Sequence, residues 1–260
     1  MIRTLLIIAG AAFVLSLVTL GGAAAIGGRD MAANGWSWTL HDDEGGNLKI
    51  VRADDSRAAE VTRTLAWAGS DTLIVDLHGD VEYVQGETPG ITVRGPADRV
   101  DHVRMEGNRL TWVGGENENG ERVVYGRNRN GRGFWINDDQ VHIVVTAPKV
   151  STFEMQGSAD LSIRDYNQPS LTLNVSGSGD VKGSGATKTL ALRITGSGDV
   201  DLSDLLSEDS DVTVSGSGDA RIAPAGAAKV NISGSGDVDL ATRPSSLSQT
   251  ITGSGDVTQN

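Results

Sequence analysis

The sequence predicts an all-β protein, a parallel β-solenoid with coils of about 19 residues. Three observations carry this prediction. The phrase Gly-Ser-Gly/Ala-Asp occurs six times, with aspartates at Asp160, Asp180, Asp199, Asp219, Asp237 and Asp256, so the gaps are 20, 19, 20, 18 and 19 residues. The positions seven and five before each aspartate, and one and three after it, form four columns. In them 21 of 24 residues are apolar, the exceptions being Gly183, Gln249 and Gln259. The outward residues two past each aspartate read Ser162, Lys182, Asp201, Arg221, Asp239 and Thr258, alternating in sign over the middle layers.

Spacing of two is the period of a strand with one buried face. Each repeat is therefore a strand, a Gly-Ser-Gly-Asp corner, a second strand and a looser return. Such a unit cannot hide its apolar face alone. Stacked at about 4.8 Å per layer, neighbouring repeats extend one interior and share ladder hydrogen bonds. Glycine is expected at the corner for its tolerance of positive φ. The aspartates are expected to cap backbone N–H groups in the turn, with the serines Ser158, Ser178, Ser197, Ser217, Ser235 and Ser254 stacked beside them.

The other elements follow in order. Arg3 precedes an uncharged run, Thr4 to Gly28. It is long enough for a membrane-spanning helix, and Ala23-Ala24-Ala25 also offers a signal-peptide cleavage site. Both readings make it an N-terminal hydrophobic helix and place the rest outside the cytoplasm. Residues 29–64 read as a polar linker or cap, with Trp36 and Trp38 near its start. From Leu65 the alternation resumes: Leu73, Val75, Val81 and Tyr83 flank Gly79-Asp80 in the frame of the later repeats, which makes Asp80 a seventh corner aspartate. Ile91-Thr92-Val93 and Leu110-Thr111-Trp112 read as irregular early coils. Residues 114–139 break the pattern, with two short strands around GRNRNGRG, and predict a protruding hairpin. Regular coils run from Phe153 to the end.

The phrases VSGSGDV, ITGSGDV and ISGSGDV, with TLIVDLHGDVEYVQG and VVTAPKVSTFEMQGSADL upstream, resemble the DUF2807 family, also described as "putative auto-transporter adhesin, head GIN domain". The resemblance spans roughly Leu65 to Asn260. It implies a right-handed parallel β-helix in a bacterial envelope protein. Autotransporters carry a C-terminal membrane barrel. This sequence stops at Asn260 soon after the last repeat, so self-secretion by that route is not expected.

Composition narrows the function classes. A net charge of −12 repels nucleic acid, and the absence of cysteine excludes disulfide and thiol chemistry. All four histidines lie at or before His142, and none has ligand spacing. No cofactor is expected, and no catalytic set stands out. The acidic run Asp201 to Asp211 falls on a return loop without a histidine or arginine partner.

Two features remain as candidates. Carboxylates about 4.8 Å apart repel by roughly 0.9 kcal/mol per pair even in water. Turn N–H groups can offset this, as can Ca²⁺ at Asp180, Asp199, Asp219 and Asp237, although one carboxylate per layer offers few oxygens for that ion. The hairpin gathers Arg127, Arg129 and Arg132 with Trp135, residue types that anchor interfaces. The expectation is a non-enzymatic envelope or surface module, adhesin-like or scaffolding, presenting a polar face to a glycan or protein. A carbohydrate-active enzyme and a Ca²⁺-dependent assembly protein are the alternatives. The last coil has no evident cap, so end-to-end pairing of copies belongs to the same expectation.

Overall fold

The computed structural model describes residues 37–41, 47–52, 60–67, 69–114, 122–128, 131–137 and 141–259, and side chains over 60–67, 69–114 and 141–259. The expected N-terminal helix, Trp36 and Arg129 lie outside the described residues. So do the side chains of Trp38, Arg127, Arg132 and Trp135.

The chain divides into two compact units, one of Met1–Arg57 with Gly120–Asp138 and one of Ala58–Asn119 with Asp139–Asn260. The first holds a four-stranded sheet of β1 (Ser37–His41), β2 (Asn47–Arg52), β9 (Arg122–Asn128) and β10 (Gly131–Asn137), in that order. β9 and β10 are the strands expected around the Gly/Asn/Arg turn, and they pair antiparallel. β9 also joins β2 in parallel, so strands occupy part of what reads in sequence as a polar linker.

The second unit is a β-solenoid of about five turns. One ladder precedes the corner: β4 (Thr72–Asp76), β12 (Thr152–Met155), the later halves of β13 (Asp160–Val175), β14 (Val181–Ile194) and β15 (Val200–Val214), then β17 (Ala227–Ile232) and β19 (Ser246–Ile251). A second ladder follows it: β5 (Asp80–Gln85), the early halves of β13, β14 and β15, then β16 (Ala220–Pro224), β18 (Val238–Leu240) and β20 (Val257–Gln259). All neighbours in both are parallel. The return is not loose: Tyr166 to Ser170 pairs with Gly185 to Thr189, which makes a third ladder.

The stretch between β5 and β12 departs from the expected early coils. β6 (Gly90–Pro96) runs antiparallel to β11 (His142–Ala147) and to β3 (Glu60–Leu65), and β7 (Val103–Glu106) runs antiparallel to β8 (Arg109–Trp112). A four-residue helix, α1 (Ala97–Val100), links β6 to β7. These elements cover the first coil. β11 lies beside β5, and β8 beside β4. Period two marks a half-buried strand and carries no direction, so the same alternation served antiparallel strands.

The apolar columns form the core. Met155, Val175, Ile194, Val214 and Ile232 are all buried, as are Leu161, Val181, Val200, Ala220 and Val238. Gly183 interrupts its column for a packing reason. A Cβ there would stand 2.5 Å from Leu202 Cδ2, and Leu205, fully buried on the return, also crowds that space. At the first layers the interior widens for Tyr83 against Phe153, edge to face with ring centroids 5.1 Å apart. The hydroxyl of Tyr83 donates to the Ala147 carbonyl at 3.0 Å, and that of Tyr166 to the Ser170 carbonyl at 2.6 Å.

Candidate functional site

The corner begins with a steric fact. Of the corner glycines, Gly79 has positive φ, at 126°. The repeat glycines from Gly157 to Gly255 do not, so left-handed backbone is not why they are glycine. Each lies flat on the corner before it. A Cβ on Gly177 would stand 1.8 Å from the Gly157 carbonyl oxygen, and one on Gly218 would stand 2.2 Å from that of Gly198. Layer contact, not dihedral freedom, fixes the residue type.

That close approach positions the aspartates in file. Asp160 Oδ1 accepts the N–H of Asp180 at 2.9 Å, Asp180 that of Asp199 at 3.0 Å, and Asp199 that of Asp219 at 2.8 Å. Asp219 and Asp237 accept from Asp237 and Asp256 in the same way, both at 2.7 Å. The carbonyl of each later aspartate accepts the N–H following the earlier one, as Asp199 does from Val181 at 2.8 Å. Capping therefore runs between coils and not within the turn. The hydroxyls of Ser176, Thr195 and Ser215 also reach back to carbonyls one coil earlier.

The carboxylates of Asp160, Asp180, Asp199, Asp219 and Asp237 are thus each offset by an N–H donor. Asp199→Ala should cost about 1 kcal/mol, and Asp199→Asn, which keeps the acceptor and removes a like charge, less than half of that. Denaturation midpoints with and without chelator check this. An equal loss in both variants, or a chelator-dependent midpoint, would mean that charge or bound cation matters more than the acceptor. Among the described residues, no three His, Cys, Asp or Glu side chains are grouped to hold a metal ion.

Asp80 differs from the rest of the column. The N–H of Asp160 bonds the Gly79 carbonyl, and the Asp80 carboxylate instead meets His142 Nδ1 at 3.0 Å. Beside it, Arg164 Nε pairs with Glu82 Oε1 at 2.8 Å. Ser162, between Glu82 and Lys182 in the ladder, leaves a dip because its side chain is short. The result is a groove of about 330 Å³ over the outer side of this ladder, lined by Asp80, Glu82, His142, Asp160, Arg164 and Lys182 among others. Sequence reasoning included Asp80, Asp160 and Asp180 and missed His142, Glu82 and Arg164 as their companions.

The charge ladder continues from there. Arg221 Nε lies 3.1 Å from Asp239 Oδ2, and Lys182 and Arg221 stand on either side of Asp201. Bonds from Ser203, its hydroxyl at 2.6 Å, hold the Asp201 carboxyl below the usual carboxylate range, helped by Arg221 and Lys182. A carboxyl depressed on folding adds stability above its ordinary pKa and loses it as pH falls through the lower folded value. Ser203→Ala should therefore weaken the fold at neutral pH by a few tenths of a kcal/mol, given the exposure of this group, with the gap closing below about pH 4. Urea unfolding at pH 7 and pH 3 reads this; an unchanged gap at both would contradict it.

The other described histidines have structural surroundings. His102 stacks on Trp112 at 5.2 Å, and its Nδ1 lies 3.0 Å from the Val113 carbonyl. Burial pushes the pKa of His78 down.

The profile of a family described as "Putative auto-transporter adhesin, head GIN domain" matches residues 71–244. A solved "putative adhesin" from Bacteroides fragilis aligns over 81% of this chain and 100% of its own, at 17% identity and a TM-score of 0.59. A "putative lipid binding protein" from Parabacteroides distasonis aligns over 81% and 99%, at 16% identity and a TM-score of 0.43. A "putative adhesin" from Parabacteroides merdae aligns over 81% and 99%, at 15% identity and a TM-score of 0.44. No curated protein matches significantly. The first of these solved structures supports the fold and nothing finer.

Proposed function

We propose, from the premise that this chain belongs to the DUF2807 family, that it is a non-enzymatic module of the bacterial envelope or surface. On this reading the coils wind right-handed behind an N-terminal hydrophobic segment, residues 4–28, that exports or anchors the domain. The solenoid holds a polar face outward and recruits an envelope glycan or protein. The observation that carries this reading is the groove at Ser162. The His142–Asp80 contact and the Arg164–Glu82 ion pair surround it, and its carboxylates are already engaged by protein donors. Such hydrogen-bonding groups suit a hydroxyl-rich surface.

The exported domain should sediment with purified envelope polysaccharide or peptidoglycan. Arg164→Ala with Lys182→Ala should weaken that binding about tenfold, the effect of losing roughly 1.4 kcal/mol. Release of reducing or unsaturated ends from those polysaccharides would replace this reading with a carbohydrate-active enzyme. Absence of binding to any envelope fraction would remove the recruiting role.

A further inference from the structure

The two ends of the solenoid are built differently. At the first coil, β11, β6 and β3 cover one ladder and β8 and β7 the other. At the far end, among the described residues, no strand lies outside β19 or β20. All six residues of β19 are exposed. Leu247 and Ile251 are 39% and 38% exposed, two of the four large apolar side chains left open among the described residues.

An unpaired strand edge is a template for another strand, and monomeric proteins blunt such edges with charge or proline. This edge has neither. From Ser245 to Gln259 the one ionisable side chain is Asp256. On a chain of net charge −12, the terminal coil is a place where a second copy can approach without meeting an array of like charge.

The occupant is named by a symmetry in the sequence. Read outward from Ser254, the coil nearly repeats itself: Gly253 and Gly255, Thr252 and Asp256, Ile251 and Val257, Thr250 and Thr258, Gln249 and Gln259. A two-fold axis through Ser254 lays β19 of one copy antiparallel to β20 of the other. Ile251 then meets Val257, and Thr250 meets Thr258, so inward residues stay inward and outward residues outward. Thr252 can donate to Asp256, whose equivalents in the five preceding coils each accept a donor from the next coil. Interior coils share the inner pairs of this match, but each places at least one charged residue where the last coil has Thr250 and Thr258. The pair corresponding to Thr250 and Thr258 is Asn174 and Lys182, Arg193 and Asp201, Thr213 and Arg221, or Asn231 and Asp239.

We propose that the terminal coil is a homodimerisation edge, joining two copies tail to tail through β19 and β20 about an axis at Ser254. An isologous contact of this kind closes on itself and does not grow into fibres. Residues 246–259 are fewer than the roughly 20–30 per side of a standard interface, so the dimer is reversible and concentration-dependent.

Sedimentation of the full-length chain, with detergent to solvate residues 4–28, should show a monomer–dimer equilibrium. Thr250→Lys, at an exposed position, should abolish the dimer and leave the fold intact by circular dichroism. Adding Thr258→Glu should restore it, because the two new charges face each other across the axis. The chain has no cysteine, so Ser254→Cys should give a disulfide-linked dimer on mild oxidation, while Ser235→Cys, one coil inward, should stay monomeric. A monomer at every concentration overturns the proposal. So does association indifferent to Thr250→Lys, growth beyond dimers, or equal crosslinking at both cysteine positions.

Discussion

Gly196→Ala should destabilise the solenoid by about 3–5 kcal/mol, a large effect for one methyl group. The added Cβ would stand 1.9 Å from the Gly177 carbonyl oxygen, 3.0 Å from its carbon and 3.0 Å from the Ser176 carbonyl carbon. All three obstacles are backbone. Nothing can rotate away, so the two corners must part by more than 1 Å against a layer spacing of about 4.8 Å. The bonds from Ser197 N–H to the Gly177 carbonyl and from Asp199 N–H to Asp180 Oδ1 then stretch together. Ordinary overpacking costs about 1–3 kcal/mol because neighbours adjust, and here they cannot. Gly90→Ala is the control, since a Cβ there meets nothing within 4 Å. Hydrogen exchange at Ser197 and Asp199 should report the loss coil by coil. A shift below about 1 kcal/mol would mean that the layers slide apart more easily than the corner geometry implies.

Phe153→Ala should cost about 3–5 kcal/mol, the usual range for a buried phenyl ring. Phe153 is fully buried and lies edge to face with Tyr83. Its strand, β12, is paired with β4 on one side and β13 on the other, so it joins the first coil to the regular stack. The cavity would lie against Tyr83, whose hydroxyl bond to Ala147 fixes it from the opposite side. Phe153→Leu should cost less than about 1.5 kcal/mol. In denaturant melts followed by exchange at β4 and β5, the Ala variant should open the first coil before β14 and β15. Uniform loss along all coils would show that the array unfolds as a single unit.

The regular coils were legible because their rule is local. A corner every 18 to 20 residues fixes which side chains point in, and the columns from Phe153 to Leu240 are buried as the period requires. Leu205 was not legible, because it sits on the return and fills the place that Gly183 vacates. The glycines were legible as corners, although their cause is the neighbouring carbonyl and not their own φ. The groove was hidden for another reason. Its pairs, His142 with Asp80 and Arg164 with Glu82, join residues 62 and 82 positions apart. No periodicity reports that the strand of Asp160 lies directly on that of Asp80.

That last juxtaposition orders the assembly of the molecule in time. Later corners need only some 19 residues of chain between them, whereas Asp80 must wait for Asp160. Closing the longer loop costs about 1.3 kcal/mol more in chain entropy. A chain emerging from the ribosome makes β4 and β5 early, gives each one neighbour in β8 and β11, and leaves their other edges unmatched until β12 and β13 arrive. The earliest strands of the solenoid are thus expected to be among the last enclosed on both edges, with nucleation in the regular coils made after them.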